Sequence, residues 1–126
     1  MKKIYIETPV GEIIDKLTIL EIKKKYISKK NDLLHINKEY SSLKESLEKQ
    51  IKVDHRIKKL WKNLLNINKK IWDMENYKRD VQKHLKKITQ VATNVYKYND
   101  DRAKTKLKIN KITGSNTREI KKYSKY

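Results

Sequence analysis

One apolar stripe constrains this chain more than any other feature. Ile57, Leu60, Leu64, Ile67, Ile71, Met74, Lys78, Val81, Leu85, Ile88, Ala92 and Val95 recur at alternating steps of three and four, and eleven of the twelve are apolar. A period of 3.5 residues sustained over this length predicts a helix with a coiled-coil-like seam. The segment before it offers a partner of matched length. Pro9 to Ile51 and Asp54 to Tyr96 each span 43 residues, joined only by Lys52 and Val53. Two matched helices on a short connection predict an antiparallel helical hairpin, with Asp54 as the cap of its long second arm at 54–97.

The first arm, 9–51, is less regular. Val10, Ile13, Leu17, Leu20 and Ile27 keep one phase, and Leu33, Ile36, Tyr40, Leu43, Leu47 and Ile51 keep another. The step from Ile27 to Leu33 is six where the pattern wants seven. Residues 28–32 therefore hold either a local overwinding of one helix or a break recapped by Asn31 or Asp32. Thr8 is expected to cap the arm, with Pro9 at its first helical position. Lys3, Ile4, Tyr5 and Ile6 alternate like a strand that has no second strand to pair with, which suggests an extended arm over 1–7. A third helix is expected at 100–113, capped by Asn99 and Asp100 and closed by Gly114, with a basic tail at 115–126. The expected fold is all-α, one domain over 1–126: a long hairpin, a shorter third helix packed on it, and a short extended N-terminal arm.

Composition removes several alternatives. Gly 2 and Pro 1 are too few for an all-β chain of tight turns. Cys 0 excludes disulfides and thiolate chemistry. No apolar run is long enough for a membrane span. The apolar stretch near Met1 is too short for a signal peptide, so a cytoplasmic location is expected.

The net charge is +18, and it is uneven. Residues 1–54 carry a net +3, residues 55–90 a net +8 and residues 101–126 a net +7. Such a field attracts polyanions, and Lys83, Lys86, Lys87, Lys104, Lys108 and Lys111 are the expected contacts. Only 4 of the 33 cations are Arg, the side chain whose planar fork suits phosphate best. Weak, salt-sensitive binding is therefore expected.

No common catalytic signature is present. His35, His55 and His84 stand too far apart for a metal motif, and Gly11 and Gly114 are isolated. No metal or cofactor is expected. A second stripe beside the seam is more informative: Trp61, Leu65, Asn68, Trp72, Glu75 and Arg79. Two Trp and a Leu imply a covered face, so its polar members need partners. Arg102, Lys106 and Asn110 of the third helix can supply them, and Glu75 is expected to pair with Arg79, Arg102 or Lys106. The first helix opens with Glu12, Asp15, Lys16 and Glu21. Glu12–Lys16 and Glu21–Lys25 have ordinary i,i+4 spacing, and Lys16 and Glu21 flank the seam where interhelical salt bridges form.

The string Val10-Gly11-Glu12-Ile13-Ile14-Asp15-Lys16-Leu17-Thr18-Ile19-Leu20-Glu21-Ile22-Lys23 resembles the opening of an uncharacterised family of small helical bacterial and phage domains. Ile71-Trp72-Asp73-Met74-Glu75 is similar to its middle. Asn99-Asp100-Asp101-Arg102-Ala103, Lys106, Ile109-Asn110 and Gly114-Ser115 are similar to its end. Pro9 stands where the family usually has a capping Ser, and Thr105 where it has an apolar residue. The resemblance implies no activity. It groups Glu75, Asn99, Asp100, Arg102, Lys106 and Asn110 as one working set, and it hints at a surface-polysaccharide context.

Three functions follow from these readings. The first is a non-catalytic interaction module with a protein partner or a second copy of itself. The second is binding of nucleic acid or another polyanion. The third is a small-molecule enzyme with a polar pocket around Trp72 and Glu75, lined by Asn68, Arg79, Asn99, Asp100, Arg102, Lys106 and Asn110.

Overall fold

The helical periods of the sequence become four helices in the computed structural model, which describes residues 2–80 and 85–115 and, in the helices, no side chains of 79–80 or 85–88. They are α1 (Val10–Tyr26), α2 (Lys30–Gln50), α3 (His55–Asp80) and α4 (Leu85–Thr113). No strand occurs among the described residues, and residues 2–8 run exposed ahead of α1.

The first arm is two helices. Backbone at Ile27 (φ −91°, ψ 125°) and Lys29 (φ −63°, ψ 122°) is extended, which ends α1 and turns the chain back. The short apolar step lies at this break. Lys29 rather than Asn31 or Asp32 is the N-cap of α2, so Asp32 instead places its charge in the first turn, where the helix dipole favours it. α2 then lies antiparallel to α1: Lys16 Nζ meets Glu39 Oε1 at 3.0 Å, and Leu47 joins Ile14 and Leu17 in the core.

The twelve-position stripe also divides between two helices. α3 and α4 pack antiparallel along their lengths, with Lys70 Nζ 5.3 Å from the Tyr98 ring centroid. The single helix expected over 54–97 is therefore replaced by this pair. The stripe still marks covered positions: Ile57 and Leu64 are buried, and Leu60, Ile67, Ile71, Met74, Ala92 and Val95 are half-buried. Asn99 and Asp100, expected to cap a third helix, lie inside α4 instead. With α3 packed against this stretch, helix continues through them.

α1 is the centre of the bundle and touches the other three helices. Ile14, Leu17, Leu47, Ile57, Leu64 and Ile109 form the core, flanked by Val10, Ile13, Tyr40, Leu43, Trp61 and Ile112. Each such aliphatic side chain contributes about 1.5–3 kcal/mol on full burial.

Local chemistry sets two helix ends. Asp54 Oδ1 accepts the Ile57 N–H at 3.0 Å and so caps α3. That hydrogen bond, with help from the adjacent Arg56 guanidinium, holds the Asp54 carboxyl below its ordinary value against the opposing effect of desolvation. At the far end of α4, Gly114 adopts φ 64°, and the Ser115 N–H returns to the Asn110 carbonyl at 2.9 Å. This left-handed closure suits Gly because it has no Cβ to clash.

Candidate functional site

The start of α1 meets the end of α4, and a buried polar cluster forms there. Helix starts leave N–H groups without partners, which a local hydroxyl normally satisfies. Here Pro9 is the N-cap, and neither it nor Thr8 supplies a side-chain cap. Two distant side chains do so. Ser115 Oγ accepts the Val10 N–H at 3.1 Å, and Asn110 Oδ1 accepts the Gly11 N–H at 2.7 Å. The left-handed turn at Gly114 is what carries Ser115 to that position.

Gly11 makes this approach possible. A Cβ there would stand 2.6 Å from the Lys106 carbonyl oxygen and 2.8 Å from Asn110 Oδ1. Backbone therefore packs against backbone, and the charged side chains that follow on α1 are brought against α4. Glu12 forms an ion pair with Lys106. One turn on, Asp15 accepts two hydrogen bonds from Arg102, from Nε to Oδ1 at 2.8 Å and from Nη2 to Oδ2 at 2.5 Å.

α3 completes the cluster through Asn68. Its Nδ2 donates to Asp15 Oδ1 at 2.9 Å and to Thr18 Oγ at 2.8 Å, while the Thr18 hydroxyl donates to the Asp15 carbonyl at 2.7 Å. Asp15 and Asn68 are each only 4% exposed. Burial alone would push the Asp15 carboxyl up. The hydrogen bonds from Arg102 and Asn68, with the charges of Arg102 and Lys106, outweigh it and hold the group below its ordinary value. Two carboxylates thus face two cations, and three helices are tied together at one point.

A second junction lies further along α1. Glu21 accepts the Trp61 indole N–H at 3.1 Å and the Tyr40 hydroxyl at 3.2 Å, so it joins α2 and α3. Burial and the Glu21 charge push the Tyr40 phenol up to about 12. Lys24 Nζ sits 3.5 Å from the Tyr40 ring centroid.

Of the expected site residues, the cluster gathers Asn68, Arg102, Lys106 and Asn110. The expected Glu75 pairing is corrected. Glu75 is exposed and meets Lys78 at 3.6 Å, while Arg102 and Lys106 reach Asp15 and Glu12. The reason is reach: Asp15 and Glu12 lie on the helix that abuts this end of α4. Trp72 is half-buried and stacks on Tyr26 with ring centroids 5.9 Å apart; its indole N–H is buried without a hydrogen-bond partner among the described residues. Asn99 and Asp100 are half-buried on α4. Lys104, Lys108 and Lys111 are exposed, whereas the side chains of Arg79, Lys83, Lys86 and Lys87 lie outside the described residues, as does the expected tail at 115–126 beyond Ser115.

Asp15 and Gly11 are what the sequence reading missed. The signal was there. Gly11, Asp15, Thr18 and Ile22 share one helix face at steps of four, three and four, and small or polar residues on a covered face mark a close polar contact. Glu12 and Lys16 have pairing spacing, yet Glu12 goes to Lys106 and Lys16 to Glu39. Among the described residues, no three His, Asp or Glu side chains converge to hold a metal ion. No helix there is long and apolar enough to cross a membrane.

One family model matches residues 3–125, and its description is "Family of unknown function (DUF6165)". No curated protein and no solved structure matches the chain.

Proposed function

We propose that this chain, which belongs to the family of unknown function DUF6165, is a helical interaction module without catalytic machinery. The observation that carries this reading is the state of its most site-like feature. The buried cluster is occupied by its own residues: Asp15 is engaged by Arg102 and Asn68, and Lys106 by Glu12. Cations that clamp a substrate normally await its charge, whereas these are matched inside the fold, where the cluster works as a staple for α1, α3 and α4. The recognition features lie outside it. Ile4, Tyr5 and Ile6 are 89%, 86% and 78% exposed ahead of α1. One domain over 1–126 is part of the same reading.

The test compares two sets of variants. Asp15→Asn and Arg102→Gln should lower the melting temperature. Ile4→Ser with Ile6→Ser should leave it unchanged but abolish capture of a protein partner. An Asp15→Asn protein that melts like the parent while losing binding of a small anion would reverse the reading and make the cluster a ligand site.

A further inference from the structure

The antiparallel pairing of α3 and α4 puts two acid-free segments side by side. Residues 55–72 hold six Lys or Arg and no Asp or Glu, and residues 102–115 hold five and none. They are 30 positions apart in sequence at their nearest ends. The Lys70–Tyr98 contact sets their register, so the first turns of α3 lie alongside the last turns of α4.

Part of this charge is used inside the bundle. Arg102 and Lys106 face Asp15 and Glu12. The rest faces water. Lys104, Lys108 and Lys111 follow one another on α4 at steps of four and three, which places them on one helix face, and all three are exposed. Lys59 and Lys62 are exposed on α3 at the same end. None of these five forms an ion pair among the described residues. At 1.5 Å per residue the α4 row is about 10 Å long, and packed helix axes such as those of α3 and α4 stand about 8–10 Å apart.

We propose that this α3/α4 face binds the phosphate backbone of nucleic acid, without reading its sequence. The inference rests on the interaction-module reading and names the chemistry of one partner. A group of like charges on two neighbouring helices, with no acid in either segment, suits a run of successive phosphates. Ala103 and Ile109, apolar side chains among the α4 lysines, are buried in the bundle, so this stretch does not offer them to a lipid surface. The lysine row also lacks the apolar and aromatic centre of a protein–protein interface. Ammonium groups act as point charges on phosphate, and the exposed row contains no Arg to fork onto a base edge, hence the indifference to sequence.

The experiment is a titration of the whole protein with a fluorescent mixed-sequence DNA duplex across a salt series. Binding at about 50 mM salt should fall steeply with salt, with a slope of about −0.9 in log K per phosphate contacted. Lys104→Gln, Lys108→Gln and Lys111→Gln together should weaken binding roughly tenfold and flatten the slope by about two to three. A control triple on α2, Lys38→Gln, Lys44→Gln and Lys49→Gln, removes the same charge and should leave the slope unchanged. Equal effects of the two triples would reduce the binding to net charge and overturn the site. So would stronger binding to vesicles of an anionic phospholipid than to DNA, or no DNA binding at low salt. None of those outcomes touches the arm-dependent capture that tests the module reading. The substituted lysines are exposed, and circular dichroism confirms that each triple folds.

Discussion

Asn110 and Gly11 lie 99 positions apart in sequence, and the Asn110 side-chain oxygen accepts the Gly11 backbone N–H at 2.7 Å. A helix start is thus capped from the far end of the chain. The contact explains why Pro9 is tolerated where a hydroxyl would normally cap, and it fixes how α1 enters the bundle. Ser115 supplies the same service to Val10 at 3.1 Å.

Gly11→Ala should therefore be destabilising, against the usual trend. Replacing a helical Gly by Ala ordinarily stabilises by about 0.5–1 kcal/mol. Here the new methyl would meet the Lys106 carbonyl oxygen at 2.6 Å, a backbone atom that cannot swing aside. A loss of about 1–3 kcal/mol is expected from the overpacking, measured by urea unfolding. A gain in stability would show that α1 and α4 do not approach this closely.

Asp15 predicts a particular acid response. Its folded carboxyl is held below the ordinary value of 3.8, so its stabilising effect is complete above that value. The effect is lost as pH falls through the lower folded value. Asp15→Asn should lose stability at neutral pH, by about 3–5 kcal/mol for breaking a buried pair that leaves Arg102 unmatched. It should also remove part of the acid dependence below about pH 4. Melting curves of both proteins across acid pH check this, and parallel curves would contradict it.

Tyr40 predicts a late-titrating phenol. Its folded value of about 12 lies above the ordinary 10.0, so the neutral form is favoured by the fold. Stability from this group is complete below the ordinary value and is lost as pH rises through the folded one. An alkaline absorbance titration of the 8 tyrosines should show one late component, and Tyr40→Phe should remove it. A titration unchanged by that substitution would mean that another tyrosine is responsible.

Three substitutions on α3 should fall in a fixed order. Leu64 is 0% exposed, and Leu64→Ala should cost about 2–5 kcal/mol through the cavity it leaves. Ile71 is only half-buried, so Ile71→Ala should cost less. Glu75 is exposed beside Lys78, and Glu75→Ala should stay within about 0.5 kcal/mol. A large loss at Glu75 would restore it to a buried role. Urea midpoints of the three variants decide the order.

The sequence by itself determined the helical class and much of what is buried. Periodicity alone marks Ile57 and Leu64 as inward positions, because helical geometry puts every third or fourth residue on one face. It also determined the Asp54 cap and the Gly114 stop, since both depend on atoms within a few residues. Chain reversal was partly legible: the six-residue step marked 28–32, and α1 ends at Tyr26 just before it. No such mark split the long stripe. A seam that continues along one helix and a seam that folds onto itself have the same period, and only the α3–α4 packing separates them.

Tertiary structure alone decided which charges meet. Arg102 and Lys106 could have been satisfied by Glu75, which the Trp61–Arg79 stripe places on a face read as covered. They reach Asp15 and Glu12 instead, 87 and 94 positions away, because the smallest residue of α1 lets its backbone touch α4 at Lys106. Spacing rules describe neighbours on one helix. Partnership between helices depends on how closely two backbones approach, and here Gly11 sets that distance.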